Sequence, residues 1–444
     1  MRIAYITAGA GGTICGNCLE DNALAAALKS QGHDVLLIPT YTPIRTDEID
    51  VSEHRVYYGG VNVYLQQKYP LFRHTPRFLD RLFDVPALLR QVSKLAVKTL
   101  PQDLGEMTVA VLQGSDGPIA KELDKLIDGL RVIQPDLVHL TNSMLVGFAP
   151  AIRDRLRIPV VCSLQGEDFF LANLPPPYSE EAFSTLRRKA SAASLFVAPC
   201  RDHAEAMARR LEIDVDEIAV VRSGIQVDDF APAASRNENE FSIGYLARVA
   251  PEKGLLLLAE AVHQLLERRG DRSPRIRLRA AGWLSPEHIP FLQDVERHIE
   301  RWGFSDRFEY EGYIDRGRKT ELLRELDVLS TPAEYAAPKG LYVMEAWASG
   351  VPVVQPRIGV FPELLEETAG GILVEPSSPS ALADGIERLI ENRAEARAMG
   401  ERGRAAAVER YSVDRMASET AALYRNLLNS RTRIPQIDGS KSLS

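Results

Sequence analysis

From Ala333 to Val354 the chain reads AEYAAPKGLYVMEAWASGVPVV. The pattern predicts a loop, a helix that starts at Gly340 and ends before Gly350, and a short apolar strand. A helix N-terminus offers unpaired backbone N–H groups and a positive dipole end, which suit an anionic or hydroxyl-rich ligand. Glu345 falls in the second turn, where its carboxylate can accept hydrogen bonds from a vicinal diol. The alternative is an ordinary crossover helix with one solvated glutamate.

A second stretch, from Ile243 to Leu255, reads IGYLARVAPEKGL and predicts a strand, a basic loop and the start of a helix. Arg248 and Lys253 flank this loop at the carboxyl end of the strand. Two cations beside a helix N-terminus favour a diphosphate site, whereas the alternative is a pair of solvated surface cations. Fixed cations stabilise the negative charge that grows on a departing phosphate, so no metal is expected in the site.

Strand and helix patterns alternate along the chain and predict parallel sheets with crossover helices. One series begins with a strand over 2–7 and a helix over 19–30, and a second begins at Phe241 after the polar segment 228–240. The further expected strands are 33–39, 137–140, 160–164, 195–198 and 218–221, then 242–246, 276–280, 308–313, 328–330, 351–355 and 371–374. We therefore predict an α/β chain of two doubly wound domains that face a shared ligand-binding cleft.

The stretches around Arg248 and Glu345 together resemble the donor-binding signature of the retaining GT-B glycosyltransferases of family 4. Arg248 and Lys253 match the arginine and lysine of the family's phosphate-binding loop, with Ala247 in place of its usual glycine. The family also has two glutamates separated by seven residues. Glu345 matches the second glutamate, and Ala337 stands where the first would fall. The resemblance covers most of the second half of the chain and the first half only loosely.

This resemblance implies the GT-B fold, which is α/β with two Rossmann-like domains facing an interdomain cleft. It also implies a retaining, metal-independent transfer of a sugar from a nucleotide sugar to an acceptor hydroxyl. Arg248 and Lys253 would be catalytic and hold the diphosphate, and Glu345 would bind the ribose. The other implied donor-binding residues are Gly340, Leu341, Lys339, Tyr313 and Glu363. No cofactor is expected, because the nucleotide sugar is a substrate, and the acceptor would be a carbohydrate or a lipid-linked molecule.

The acceptor side of the implied cleft contains Gly11 and Gly12, in the glycine loop after the first strand. Gln165 stands where the family has a histidine; glutamine can hydrogen-bond a sugar hydroxyl but cannot carry a proton at neutral pH. His139 ends a neighbouring strand and either faces the cleft or packs within the sheet. Ala337 and Gln165 leave open a catalytically impaired protein that binds nucleotide sugars or carbohydrate. A nucleotide-sugar epimerase on the same architecture is a further alternative.

The resemblance divides the chain into an acceptor-side domain over 1–230, with a basic helical insertion near 66–100, and a donor domain over 241–410. A helix over 411–428 is expected to cross back to the first domain, and a flexible tail over 429–444 to follow it.

Between Lys68 and Lys98, seven basic residues stand against two acidic ones, interleaved with large apolar side chains. Such a segment suits peripheral contact with the inner face of a membrane or with a phosphorylated acceptor. The alternative is a helical insertion that packs on the first domain and leaves its basic face in water.

Composition excludes several other classes. A net charge of -8 over 444 residues argues against nucleic-acid binding as the main activity. No apolar run approaches the length of a transmembrane helix, and the N-terminus enters a strand without a signal peptide, so we expect a cytoplasmic protein. Cys15 and Cys18 form a Cys-x-x-Cys, but without a second such pair a tight turn explains them better than redox or metal chemistry. Ile14 replaces the third glycine of a dinucleotide fingerprint, which disfavours an oxidoreductase.

Overall fold

The computed structural model describes residues 1–9, 16–40, 43–44, 46–53, 101–233, 237–270, 272 and 274–432. The predicted basic insertion near 66–100, the segment 68–98 within it, and residues 433–444 of the predicted tail lie outside the described residues. Gly11 and Gly12 also lie outside them.

The described residues of the first domain form a parallel sheet of six strands in the order β2-β1-β3-β4-β5-β6. The strands are β1 (Arg2–Thr7), β2 (Asp34–Pro39), β3 (Leu137–Leu140), β4 (Val160–Ser163), β5 (Leu195–Ala198) and β6 (Ile218–Val220). The helices are α1 (Gly16–Ser30), α2 (Pro101–Gln113), α3 (Ala120–Ile133), α4 (Ala149–Leu156), α5 (Glu167–Ala172), α6 (Tyr178–Ala190) and α7 (Arg201–Leu211). The strand order reverses between β1 and β3, so a crevice opens at their carboxyl ends.

The described residues of the second domain form another parallel six-stranded sheet, in the order β12-β11-β10-β7-β8-β9. Its strands are β7 (Glu240–Leu246), β8 (Arg275–Ala281), β9 (Phe308–Tyr310), β10 (Val328–Leu329), β11 (Val353–Pro356) and β12 (Gly371–Val374). The helices are α8 (Leu255–Arg269), α9 (Ile289–Arg301), α10 (Arg316–Glu325), α11 (Leu341–Ala348), α12 (Phe361–Thr368), α13 (Pro379–Glu391), α14 (Arg393–Arg410) and α15 (Val413–Thr432). Here the order reverses between β7 and β10.

Two doubly wound parallel sheets confirm the fold class that the alternating pattern predicted. The second sheet has the strand order of the dinucleotide-binding fold, counted from β7. Strands 137–140 and 195–198 begin and end where the sequence predicts, because short apolar runs in a parallel sheet are buried on both faces.

Several strand boundaries predicted from the sequence differ from the structure, and two of them lie at turns. The strand predicted over 308–313 ends at Tyr310, before the turn at Gly312. The strand predicted from Val351 starts only at Val353. Val351 instead donates its N–H to the Ala346 carbonyl at 2.9 Å, so it belongs to the turn that ends α11.

The last helix, α15, packs on the first domain. Met416 and Tyr424 of α15 share one hydrophobic cluster with residues of β1 and α1. Just before α15, Ile225 donates its N–H to the Tyr411 carbonyl and accepts from the Val413 N–H, both at 2.9 Å. The second domain is therefore joined to the first at both of its ends. Among the described helices, none has the length and apolar character needed to cross a membrane.

Candidate functional site

Loops at the carboxyl ends of the two sheets meet at the interface between the domains. The first domain contributes the turn after β4, and the second contributes the loop 331–340 after β10. A Cβ placed on Gly166 would lie only 2.7 Å from Pro338 Cγ, so the two loops are in contact at that point. Beside it, the rings of Phe169 and Tyr335 lie 4.7 Å apart between centroids. The candidate site is the cleft that these loops line, where doubly wound sheets bind ligands.

The loop after β7 carries both predicted catalytic cations. The Arg248 side chain is 48% exposed, and its Nη2 donates a hydrogen bond to Glu252 Oε1 at 2.7 Å. Lys253 Nζ hydrogen-bonds the Tyr335 hydroxyl and lies 4.7 Å from the centroid of that ring. Helix α8 begins two residues later, at Leu255. Both cations thus stand beside a helix N-terminus at the carboxyl end of β7, the place that a diphosphate site requires.

Helix α11 begins at the cleft, as the sequence predicts. Its N-cap, Gly340, has φ +68°, a left-handed conformation that favours glycine, and no side chain caps the helix. The first N–H groups, beginning with Leu341, are therefore positioned for a ligand. Lys339 is already paired across the interface, because Nζ forms an ion pair with Glu20 and donates to Asn17 Oδ1 at 2.9 Å. The lysine predicted to bind the donor thus also joins this loop to α1.

Glu345 lies in the second turn of α11, and its carboxylate has a protein partner. Lys319 Nζ, in the first turns of α10, donates to Glu345 Oε1 at 2.7 Å. The same ammonium donates to Asp47 Oδ2 of the first domain at 3.0 Å. Burial disfavours the charge of Lys319, but the two carboxylates outweigh that effect and raise the pKa of the lysine. The predicted ribose-binding glutamate is thus held by a charged lysine.

Tyr313 follows β9 and forms an edge-to-face pair with Trp283, which follows β8, with 6.4 Å between ring centroids. Tyr313 is 39% exposed, so its ring remains accessible. The strands β9, β8, β7 and β10 are neighbours in the sheet in that order. At their carboxyl ends, the aromatic pair follows β9 and β8, Arg248 follows β7, and the loop that leads to Gly340 follows β10. This order suits a base, a diphosphate and a sugar in succession.

Glu363, which the sequence predicts to bind the donor, has its carboxylate in contact with the first domain. Its carboxylate accepts hydrogen bonds from the backbone N–H groups of Arg201 at 3.1 Å and Asp202 at 2.8 Å. These groups open helix α7 of the first domain, whose N-terminus attracts a carboxylate. Arg222 lies 3.7 Å from the same carboxylate. Glu363 therefore joins the two domains.

The first-domain side of the cleft contains a buried carboxyl group that the sequence did not single out. Asp21, in α1, accepts hydrogen bonds from Tyr5 at 2.9 Å and from Thr7 and Thr141 at 2.6 Å each. Gln165 Nε2 also donates to Asp21, at 3.2 Å. Burial raises the pKa of Asp21 to about 6, although the hydrogen bonds from Thr141 and Thr7 lower it.

This network sets the orientation of the Gln165 amide. An ionised carboxylate only accepts hydrogen bonds, so the amide nitrogen must face Asp21 and Oε1 must face away. Within the described residues Oε1 is buried and has no hydrogen-bond partner. The backbone is fixed as well, because Glu167 Oε2 accepts from the Gln165 N–H at 2.6 Å. An unsatisfied buried acceptor at a cleft is suited to a ligand hydroxyl group.

Of the two arrangements left open for His139, the structure has the one in which it packs within the sheet. The side chain is buried, with Nδ1 hydrogen-bonded to the Tyr424 hydroxyl and Nε2 to Ser163 Oγ at 2.7 Å. Burial lowers the pKa of His139 to about 3, so the ring is neutral near physiological pH. Both ring nitrogens are used within the protein, which leaves none for a substrate.

We expect the Asp21 carboxyl to make stability depend on pH. Its folded pKa lies above its ordinary value of 3.8, so between about pH 4 and pH 6 the folded chain holds a proton that the unfolded chain has lost. Stability therefore falls as pH rises through this window, by up to about 1.4 kcal/mol per pH unit. Denaturant titrations of the wild type and of Asp21→Asn should diverge across it. Parallel pH profiles for the two proteins would contradict the assignment.

Sequence reasoning missed the partners of the predicted residues, namely Asp21, Asp47, Lys319 and Tyr335. Tyr335 lies within the stretch 333–354 without a motif role of its own, and the other three belong to no recognisable short motif. Each of the four contacts an element distant in the sequence. Asp21 carried no such signal either, because it stands in the helix between two other polar residues, Glu20 and Asn22, that are also buried.

Two family models match the chain. Residues 227–406 match the model described as glycosyl transferases group 1, and residues 22–224 match the glycosyl transferase 4-like domain. Together they cover both domains of the structure. Both models describe glycosyltransferase domains, and the chain is a glycosyltransferase.

Curated relatives of this glycosyltransferase include a D-inositol 3-phosphate glycosyltransferase of Corynebacterium glutamicum. It is 27% identical over 68% of this chain and 74% of its own length. The protein of the same name from Streptomyces scabiei is also 27% identical, over 54% of this chain. The match spans only 56% of that relative, so the chain covers little more than half of it.

Solved structures show the same GT-B fold. Sucrose-phosphate synthase from Thermosynechococcus elongatus superposes with a TM-score of 0.70, covering 97% of this chain and 100% of that one at 18% identity. The HepE protein of Anabaena, in complex with UDP and glucose, gives 0.68, with 96% and 100% covered at 18% identity.

Proposed function

We propose that this glycosyltransferase moves a sugar from a nucleotide-sugar donor to an acceptor hydroxyl, without a metal ion and with retention of configuration. The observation that carries the proposal is that Arg248 and Lys253 follow β7 and Glu345 follows the neighbouring strand β10, with Lys253 in contact with Tyr335 of the loop before α11. Two comparisons support it. The family models cover both domains, and HepE has been solved with UDP and with UDP-glucose.

In the proposed reaction the bond between the sugar and the diphosphate breaks, and negative charge grows on the leaving phosphate. Arg248 and Lys253 are fixed cations at that place, so they stabilise the transition state more than the bound donor. The N–H groups at the start of α11 act in the same direction. The acceptor hydroxyl attacks the sugar, and its proton passes to the departing phosphate. Gln165, which cannot take a proton, then only needs to bind a hydroxyl group.

We propose that Lys253 changes its hydrogen-bond partner when the donor binds. In the ligand-free chain its ammonium is bonded to the Tyr335 hydroxyl, so it is ordered before the donor arrives. A diphosphate oxygen is a charged acceptor and forms the stronger hydrogen bond with an ammonium. We therefore expect Lys253 to turn to the donor, with the Tyr335 hydroxyl as a further donor group beside it.

The acceptor is proposed to be a carbohydrate, a lipid-linked molecule or a phosphorylated polyol. The relatives named D-inositol 3-phosphate glycosyltransferase support the last of these. We also propose a cytoplasmic location, with peripheral attachment to the inner face of a membrane through residues 68–98.

Calorimetric titration with UDP, ADP and GDP in the presence of EDTA tests the proposal. We expect one nucleotide to bind despite the chelator, and Arg248→Ala to weaken its binding at least tenfold, because a charge-assisted contact is lost. Arg297→Ala is the matched control, since Arg297 is an exposed cation of the same domain whose salt bridge among the described residues is with Asp294 on its own helix. Failure of the folded protein to bind any of the three would overturn the proposal.

A second candidate is a binding protein with impaired catalysis. Two observations favour it: Ala337 lacks the carboxylate that the resembled family places there, and Gln165 lacks a transferable proton. Incubation with radiolabelled forms of the nucleotide sugar that binds, and analysis for released sugar and nucleotide, separates the candidates. Turnover above the uncatalysed rate supports the transferase, whereas tight binding without turnover supports the binding protein.

A further inference from the structure

Lys319 lies between two carboxylates that come from different domains. Nζ donates to Glu345 Oε1 at 2.7 Å and to Asp47 Oδ2 at 3.0 Å, and the residue is only 9% exposed. The neighbouring Arg316, one turn earlier on α10, pairs with Glu48 at 3.0 Å. The first turn of α10 thus attaches the segment 46–53 of the first domain to the donor domain.

The contact leaves one part of Glu345 available. Oε1 is the oxygen that accepts from Lys319, and among the described residues no hydrogen bond engages Oε2. A carboxylate has acceptor capacity on both oxygens, so Glu345 can bind a diol while Lys319 holds it. Without the lysine, the glutamate could change rotamer or turn to water, and its position over the ribose would no longer be determined.

We propose that Lys319 is a positioning residue for the donor ribose, and that Asp47 of the first domain anchors it in that position. This inference rests on the proposed function, because it takes the Glu345 carboxylate as the group that binds the ribose diol. Both domains then determine the affinity for the nucleotide. Asp47 does not contact the nucleotide, but it holds Lys319, and Lys319 holds Glu345. The cleft therefore binds the ribose best when the domains are in the arrangement seen here.

The test compares a nucleoside diphosphate with its 2′-deoxy form. Of UDP, ADP and GDP, the one that binds is titrated beside dUDP, dADP or dGDP, respectively. We expect the wild type to prefer the ribonucleotide about tenfold or more, since a hydrogen bond to a charged acceptor is lost in the deoxy form. In Lys319→Met this preference should fall below about threefold, while affinity for the deoxynucleotide changes little. Glu345→Gln serves as the positive control.

Asp47→Ala is the second variant, and it keeps the test decisive if Lys319→Met folds poorly. We expect an intermediate loss of the ribose preference, because Lys319 keeps Glu345 but loses its anchor. Lys189→Met is the matched control, since Lys189 is a similarly covered lysine that pairs with Asp116 within the first domain. It should leave the preference at the wild-type value.

The outcomes separate this inference from the proposed function. If no diphosphate binds the folded wild type, the proposed function fails. If the ribonucleotide binds and its preference over the deoxy form persists in both Lys319→Met and Asp47→Ala, only the positioning role fails. A purely structural role would lower the affinity for both nucleotides equally and leave their ratio unchanged, which also overturns the inference.

Discussion

Replacing Lys253 with methionine should lower the rate of sugar transfer by about 100- to 1,000-fold. Lys253 and Arg248 are the two cations at the carboxyl end of β7, and both stand where charge develops on the proposed leaving diphosphate. Methionine keeps much of the apolar stem of the side chain but removes the ammonium. The loss should therefore fall mainly on kcat, because the interaction is strongest in the transition state.

Donor turnover is measured as the rate at which the nucleotide is released. The Lys253→Met variant is compared with Arg297→Met, in which an exposed cation is removed as a control. Tyr335→Phe separates the two contacts of the lysine, since it removes the hydroxyl that Lys253 meets in the ligand-free chain and keeps the ring. We expect that variant to lose less than Lys253→Met. A rate for Lys253→Met within about threefold of the wild type would remove the lysine from the mechanism.

Truncating Trp347 to alanine should destabilise the second domain by about 3–5 kcal/mol. The indole of Trp347, in α11, is fully buried, and its Nε1 donates to the Gly370 carbonyl at 2.9 Å. A Cβ placed on Gly403 would lie 2.3 Å from Trp347 Cδ1, so the neighbouring helix α14 approaches the ring closely. Alanine would leave both a large cavity and an unpaired carbonyl group.

Denaturant and thermal unfolding, followed by circular dichroism, test this second prediction. Trp302→Ala is the matched control, because Trp302 is only partly buried, at the end of α9, and stacks on His263 with 4.8 Å between centroids. We expect it to have a clearly smaller effect. Equal midpoints for Trp347→Ala and the wild type would mean that α11 is not held by this side chain.

The places of four candidate site residues in the fold could be predicted from the sequence. Arg248, Lys253, Gly340 and Glu345 each lie on a local strand–loop–helix unit, and such a unit places its side chains through short-range geometry alone. Their positions at the carboxyl ends of the strands follow from the sequence pattern. Their chemistry follows from residue type, since cations suit phosphates and a carboxylate suits a diol.

The contacts of Glu363 and His139 depend on parts of the chain that are distant in sequence. Glu363 matched a local turn, but its carboxylate caps α7 of the first domain. His139 ends a strand as expected, but α15 returns from the end of the chain and covers it with Tyr424. Neither contact can be found in a local pattern, because the two partners are separated by more than 150 residues.

The sequence by itself determined the fold class, the family resemblance and the groups proposed to bind a nucleotide sugar, since hydrophobic period, glycine positions and residue type are local properties. Only the tertiary structure decided how those groups are held. Lys319 connects Asp47 to Glu345, and Asp21 orients Gln165, across separations of 272, 26 and 144 residues. Burial makes such pairings obligatory, because a polar group removed from water must find a partner wherever the fold provides one.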